Sequence, residues 1–319
     1  MNIIDKKYWY FLISLLVIIP GLISLFFWRL NFGIDFTGGS QITFSFNQKV
    51  TPQVISATEK AFTNNKIQVV SVQTSQNGII VRTPPINDKQ DLAVNQQLIP
   101  AFGPTYKQED YETVGPVIGS ETTANAFKAI VVASILIVLY IAWSFRKVPK
   151  PASSWRFGIC AIVALLHDVL VLIGLFSLFG HFFHVEVDSL FVTAVLTVIG
   201  FSVHDTIVVF DRIRENLLKS GSSAFTQVVN DSILQTLSRS LNTSLTAILV
   251  LLALLIFGGD SVRWFIVALL IGIISGTYSS IFNASPLLVV WQDVEKSRRN
   301  KSLNGKLNVH SNGKLAGIK

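Results

Sequence analysis

Long apolar runs broken by short polar stretches dominate the chain. Uncharged or nearly uncharged segments extend from Tyr8 to Trp28, about Ala124 to Phe145, Phe157 to Phe179, Leu190 to Phe210, Leu241 to Phe257 and Trp264 to Trp291. As α-helices these runs are long enough to cross a hydrocarbon core of roughly 30 Å. The pattern predicts six transmembrane helices. The first run follows Lys6 and Lys7 as a leader would, yet its apolar length exceeds a secretory core and no small-residue cleavage site follows, so it reads as a retained anchor.

Between the first two runs the periodicity changes. Ile42, Phe44 and Phe46 alternate with polar residues as in a half-buried strand, and Thr51 before Pro52 supplies an N-cap and a first-turn proline for a helix through Phe62. Ile67 to Thr74 and Gly78 to Thr83 read as a hairpin across Gln76 and Asn77. Asn87 then caps a helix to about Ile99, and Thr105 to Val114 forms a last strand. The order βαββαβ predicts a ferredoxin-like α+β domain, with two helices on one face of a four-stranded antiparallel sheet. The expected organisation is an N-terminus and first span over 1–30, this domain over 31–120, five further spans over 121–292 and a basic tail over 293–319. The small domain lacks His and Cys, and Asp88, Asp91, Glu109, Asp110 and Glu112 read as a solvated surface. That composition fits a binding or mechanical module rather than an enzyme.

Half of the residues are apolar and only 14% are charged, with a mean hydropathy of +0.52. These values place the chain among polytopic membrane proteins. The formal charge of +7 is unevenly spread. Arg146, Lys147, Lys150 and Arg156 lie between the second and third runs, and Arg212, Arg214 and Lys219 between the fourth and fifth. The alternate loops carry Glu186, Asp188 and Asp260 without Lys or Arg. By the positive-inside rule both termini are cytoplasmic and the α+β domain is extracytoplasmic. The tail, in which NGKL occurs twice, reads as a solvated end that touches anionic membrane lipid, not nucleic acid. Cys160 is the single cysteine, which excludes an intrachain disulfide and leaves a packing role.

Against this apolar background the segment GFSVHDTIVVFDRIREN, Gly200 to Asn216, stands out because it places His204 and Asp205 inside a span. An ionised carboxylate out of water costs several kcal/mol, so it needs a partner, a water path or a proton. With the fourth span ending near Asp211, Asp205 lies roughly 9 Å inside it. Arg239 enters the fifth span from the same side, at a comparable depth, and is the expected partner. Asn242, Thr243 and Thr246 follow Arg239 at offsets of three, four and seven, a polar stripe that predicts an inward-facing proton path. His204 either relays protons or only hydrogen-bonds. Asp168, beside His167 and deeper in the third span, either carries protons or bonds helix to helix. Nothing in the spacing of these four resembles a metal-ligand set. Oxygens of Asp205, Ser202 and Thr206 suit Na⁺ as an alternative coupling ion, but H⁺ ranks first because one titrating carboxylate with a basic partner suffices. In the last span Gly272, Ser275, Gly276, Ser279, Ser280 and Asn283 line one face, an expected helix interface.

Five motifs occur together: GIDFTGG at Gly33 to Gly39, VGPVIGSE at Val114 to Glu121, HD at His167 and Asp168, SVHDTIVVFDRIREN from Ser202, and FGG at Phe257 to Gly259. In this order they resemble the SecF branch of the SecD/SecF family, within the resistance-nodulation-division superfamily. The resemblance implies half of that superfamily's helical bundle with a single outer domain, in the bacterial inner membrane. It further implies an accessory subunit that acts with SecD and uses the proton motive force to pull an unfolded secretory polypeptide from SecYEG. By motif, Asp205 and Arg239 match the family's functional polar residues in the membrane, while His204 stands where the family usually has asparagine. Two other readings are a small-molecule or lipid exporter of the same superfamily and a passive translocon scaffold. No nucleotide-binding loop or Ser-His-Asp order is present, so the chain reads as a transport subunit without cofactors, not an enzyme.

Overall fold

The computed structural model describes residues 2–47, 49–74, 78–103, 106–146, 153–219 and 224–298. The hairpin turn expected at Gln76 and Asn77, Lys147 and Lys150, and the tail with its NGKL repeats lie outside the described residues. The chain divides into two compact units, one drawn from Met1–Phe27, Val132–Leu175 and Ala194–Lys319, the other from Trp28–Val131 and Phe176–Thr193.

The second unit holds the sheet. Helix α1 (Lys7–Phe27) precedes a one-turn helix α2 (Ile34–Thr37), followed by β1 (Gly39–Phe46), α3 (Pro52–Asn64), β2 (Ser71–Thr74), β3 (Gly78–Thr83), α4 (Asp88–Phe102) and β4 (Tyr106–Val114). The strand order is β2-β3-β1-β4, all antiparallel, as the βαββαβ reading predicts. Ile42, Phe44, Phe46, Ile79 and Val81 bury one face of the sheet against Val54 and Phe62 of α3 and Val94 and Leu98 of α4. Each such side chain contributes roughly 1.5–3 kcal/mol of burial free energy. Asn87 begins α4 with a capping box: its side chain accepts from the Gln90 amide, and the Gln90 side chain accepts from the Asn87 amide, both at 3.0 Å.

Three details differ from the sequence reading. Strand β2 starts at Ser71 instead of Ile67, because Lys66 turns the chain at φ 60° and Ile67 drops into the core ahead of the strand. Thr51 occupies the N-cap position of α3 with extended backbone, but its side chain makes no capping bond. Asp91 is not a solvated carboxylate. It is 9% exposed and accepts from Asn95 and Gln108, both at 3.3 Å.

The two glycine motifs meet in this unit. Gly38 and Gly39 adopt φ of +72° and +127°, and a Cβ on Gly119 would stand 2.9 Å from Gly38 N and 3.0 Å from Phe36 O. Only glycine fits both the backbone conformation and the approach. The segment 184–188 belongs to the same unit through main-chain bonds: Gly33 N donates to Val187 O at 2.8 Å and Val187 N to Asn31 O at 2.7 Å. Glu186 pairs with Arg82 of β3 and accepts from Gln73 of β2 at 2.6 Å. Burial lowers the Arg82 guanidinium to about 10.

The long helices continue the chain: α5 (Pro116–Ser144), α6 (Ser154–Phe183), α7 (Ser189–Lys219), α8 (Phe225–Phe257) and α9 (Asp260–Ser279). A π-helical turn, Ser280–Ala284, joins α9 to further helix reaching Arg298. Among the described residues six helices, counting α1, are long and apolar enough to cross a membrane. Several outlast their apolar runs. α7 continues past Asp211 to Lys219, and α8 begins at Phe225, so Arg239 lies within a helix rather than at its start. Half of the apolar window of α6 and of α7 is buried and two thirds of that of the span Ser261–Arg298, against 6% for α5. The span that α9 opens is therefore the most enclosed of these, which is where its small residues matter.

Candidate functional site

Within the first unit, polar side chains of α6, α7, α8 and α9 converge on two buried carboxylates. The small-residue face of α9 makes this possible. A Cβ on Gly276 would stand 3.0 Å from Ser202 Cβ, and one on Gly272 would run into the Val198 side chain, so α7 and α9 approach at glycine distance. That face is internal: Gly272, Ser275, Gly276, Ser279, Ser280 and Asn283 are all buried. Asn283 donates to Ser14 of α1 at 2.8 Å, and Ser280 and Thr206 hydroxyls meet at 2.7 Å. The π turn widens the helix directly after Ser279, at the level of this cluster.

Asp168, in the middle of α6, is fully buried. Ser202 and Ser279 donate to its Oδ2 at 2.5 and 2.6 Å, Ser275 donates to Oδ1 at 2.7 Å, and His167 Nδ1 lies 2.9 Å from Oδ1. Three helices thus contribute two contacts to each carboxylate oxygen. Of the two readings for this residue, the helix-to-helix bonding is directly visible.

Asp205 on α7 sits differently. It is 2% exposed, yet its hydroxyl neighbours, Ser244 of α8 and Thr277 of α9, are both at 3.4 Å from Oδ2. Those hydroxyls make shorter bonds elsewhere: Ser244 to Ser240 O at 2.9 Å, Thr277 to Ile273 O at 2.8 Å, and 2.5 Å to each other. Two hydroxyl protons cannot satisfy all these acceptors, so Asp205 is buried with weak support for a negative charge. His204 Nδ1 is 3.9 Å from Asp205 Oδ1, but the His204 side chain is 61% exposed.

The structure does not bring Asp205 and Arg239 together. Among the described residues no Lys or Arg pairs with Asp205. Arg239 is exposed on α8, as are Asn242, Thr243 and Thr246. This stripe, expected to face inward, lies on the open side of the chain. Its hydroxyls fold back on the helix, Thr243 donating to Arg239 O at 2.9 Å and Thr246 to Asn242 O at 2.7 Å. Arg239 borders an open cavity of about 540 Å³ with Trp143, Arg146, Asp211 and Arg214, in which Asp211 pairs with Arg214 at 2.8 Å. The buried face of α8 carries Ser232, Thr236, Ser240 and Ser244 instead. Their four-residue recurrence was the signal that sequence reasoning passed over. The oxygen set expected for Na⁺ is also dispersed, since Ser202 serves Asp168 and Thr206 serves Ser280.

The description "Protein export membrane protein SecD/SecF, C-terminal" belongs to a family model that matches residues 94–294, and a "SecD/SecF GG Motif" model matches residues 23–50. The chain belongs to the SecD/SecF family. The GG-motif match contains GIDFTGG, whose last two glycines hold the positive-φ turn into β1. Among family members, the protein translocase subunit SecF of Thermobaculum terrenum is 48% identical over 303 residues, covering 92% of this chain and 94% of that one. Protein translocase subunit SecDF of Thermus thermophilus is 37% identical over 273 residues, 84% of this chain and 35% of the relative. The crystal structure of SecDF from the same organism, described as a translocon-associated membrane protein, superposes with a TM-score of 0.80 at 34% identity, over 92% of this chain and 39% of that one.

Proposed function

We propose that this chain is the SecF-type subunit of the bacterial Sec translocase, which acts with SecD and uses the proton motive force to drive late export of polypeptides emerging from SecYEG. Asp205 carries the exchangeable proton. The observation behind this assignment is its environment: a carboxylate inside a membrane-length helix, 2% exposed, whose hydroxyl neighbours are committed to backbone carbonyls. Such a group gains stability on protonation and is poised to change state when a cation or water reaches it. H⁺ suits it better than Na⁺, since no further oxygen ligands converge there among the described residues.

Arg239, Asn242 and Thr243 then belong to an interface rather than to the interior of this chain. Polar side chains on the open face of a membrane-length helix do not face lipid. SecD is the natural cover, because SecDF relatives join both parts in one chain of which this chain matches 35–39%. His204, exposed beside Asp205, is placed as a hydrogen-bonding residue on that open side. The protein sits in the bacterial inner membrane with both termini cytoplasmic, touches its substrate through the outer α+β domain, and works as a transport subunit without a cofactor.

The test is precursor export by cells depleted of their own SecF, comparing wild type with Asp205→Asn, each shown to insert and bind SecD, with the proton gradient present and then collapsed. The wild type should lose its advantage on collapse, and the variant should never have it. Equal export by both under both conditions would leave the passive scaffold as the better reading.

A further inference from the structure

Among the described residues two buried side-chain atoms lack a hydrogen-bond partner, Ser240 Oγ and His167 Nε2, and of these the imidazole nitrogen is the one that can take up a proton. His167 Nε2 makes no hydrogen bond among the described residues, although the His167 side chain is only 10% exposed. Its other nitrogen, Nδ1, contacts Asp168 Oδ1 at 2.9 Å. Asp168 meets four donors, two on each oxygen, which fills the acceptor capacity of an ionised carboxylate. With four donors in reach the carboxylate needs no proton of its own, and with hydrogen on Nδ1 the Nε2 of a neutral ring is a bare lone pair. The serine hydroxyls aim protons at the carboxylate at 2.5 to 2.7 Å, an arrangement made for an anion rather than for a metal ion between the oxygens.

That anion needs a counter-charge. Among the described residues the only basic group in ion-pair range of Asp168 is His167 itself. The titratable group facing the imidazole from α9 is Tyr278, with ring centroids 6.4 Å apart. α7 presents Ser202 and, one turn further, Asp205. α1 approaches through Tyr10, whose carbonyl accepts from the Tyr278 hydroxyl at 2.8 Å. None of these supplies a positive charge.

We propose that His167 and Asp168 form a second proton-binding site of the bundle, in which the exchangeable proton resides on His167 Nε2 and Asp168 remains the fixed anion. Uptake adds one proton to the Nε2 lone pair and gives an imidazolium bonded to a carboxylate, a neutral pair suited to an apolar interior. Ser279 can follow the change in charge, because its hydroxyl lies 3.2 Å from Gly276 O as well as 2.6 Å from Asp168. Any part this proton plays in export rests on the proton-coupled reading above. Its binding does not.

The measurement is nitrogen NMR of the full-length chain in lipid nanodiscs, labelled at histidine, with the His167 signal assigned by its loss in His167→Gln. The expected result is a His167 signal that gains a second ring proton within the window of pH in which the chain stays folded, unchanged in Asp205→Asn and lost from that window in Asp168→Asn. A single neutral tautomer across the window would overturn the proposal, as would an identical titration in Asp168→Asn. Loss of the signal in Asp205→Asn would merge it with the Asp205 site. Should Asp168→Asn not fold, the wild type and Asp205→Asn decide alone. Failure of the export reading leaves the imidazole signal intact, so the two outcomes separate.

Discussion

Gly21 of α1 and Gly174 of α6 meet backbone to backbone. A Cβ on Gly174 would stand 2.7 Å from Gly21 Cα, and one on Gly21 would stand 2.9 Å from Gly174 Cα. Backbone cannot rotate aside as a side chain can, so Gly174→Ala should push the helices apart at a cost of about 1–3 kcal/mol. Gly158→Ala on the same helix, with nothing within 4 Å, is the control. Thermal unfolding in nanodiscs should show a lower midpoint for the first only; matched midpoints would refute the close crossing.

Gly272 and Val198 make a different kind of contact, glycine against a side chain that can be shortened. Gly272→Ala should destabilise the α7/α9 packing, and Val198→Ala added to it should restore much of the loss, although Val198→Ala alone leaves a gap. The double-mutant cycle should give a coupling of about 1 kcal/mol or more. Additive effects would mean that the helices do not meet there.

Arg239 separates stability from function. Because it is exposed and unpaired with Asp205 here, Arg239→Leu should change the stability of the isolated subunit by no more than about 0.5 kcal/mol, while reducing both export and co-purification with SecD. A large loss of stability in the subunit alone would place the arginine inside this chain's own bundle.

Asp91 gives the α+β domain a pH dependence. Burial raises its carboxyl above the ordinary range, against the opposing hydrogen bonds from Gln108 and Asn95. The folded domain therefore holds the proton more tightly than the unfolded chain. The associated stability is fully present below the unfolded pKa and is lost as pH rises through the raised folded value. Asp91→Asn should accordingly protect the α4 and β4 amides from hydrogen exchange more than wild type at neutral pH, with the difference vanishing in acid. Greater protection of wild type at neutral pH would reverse the assignment.

Local features were readable in advance because they depend on neighbours in sequence. Alternation over Ile42, Phe44 and Phe46, the Asn87 helix cap and six membrane-length apolar runs each declare themselves within a few turns of chain, and βαββαβ then leaves little choice of sheet order. Two buried acids were equally plain, since a carboxylate in an apolar run has no bland explanation. What they touch was not legible. α8 carries two polar stripes about one residue out of phase, Arg239-Asn242-Thr243-Thr246 and Ser232-Thr236-Ser240-Ser244, and periodicity states their spacing without saying which faces a neighbour. Helix rotation decided it: the stripe of small hydroxyls turned inward, where Ser232, Thr236 and Ser244 donate to carbonyls of their own helix, and the arginine stayed outside. In the same way Ser202, one turn from Asp205 in sequence, serves Asp168 on another helix, because glycines of α9 let three backbones close around that carboxylate. Sequence determined which residues are polar and how they repeat; only packing in three dimensions, set by the few places where glycine allows close approach, determined which of them meet.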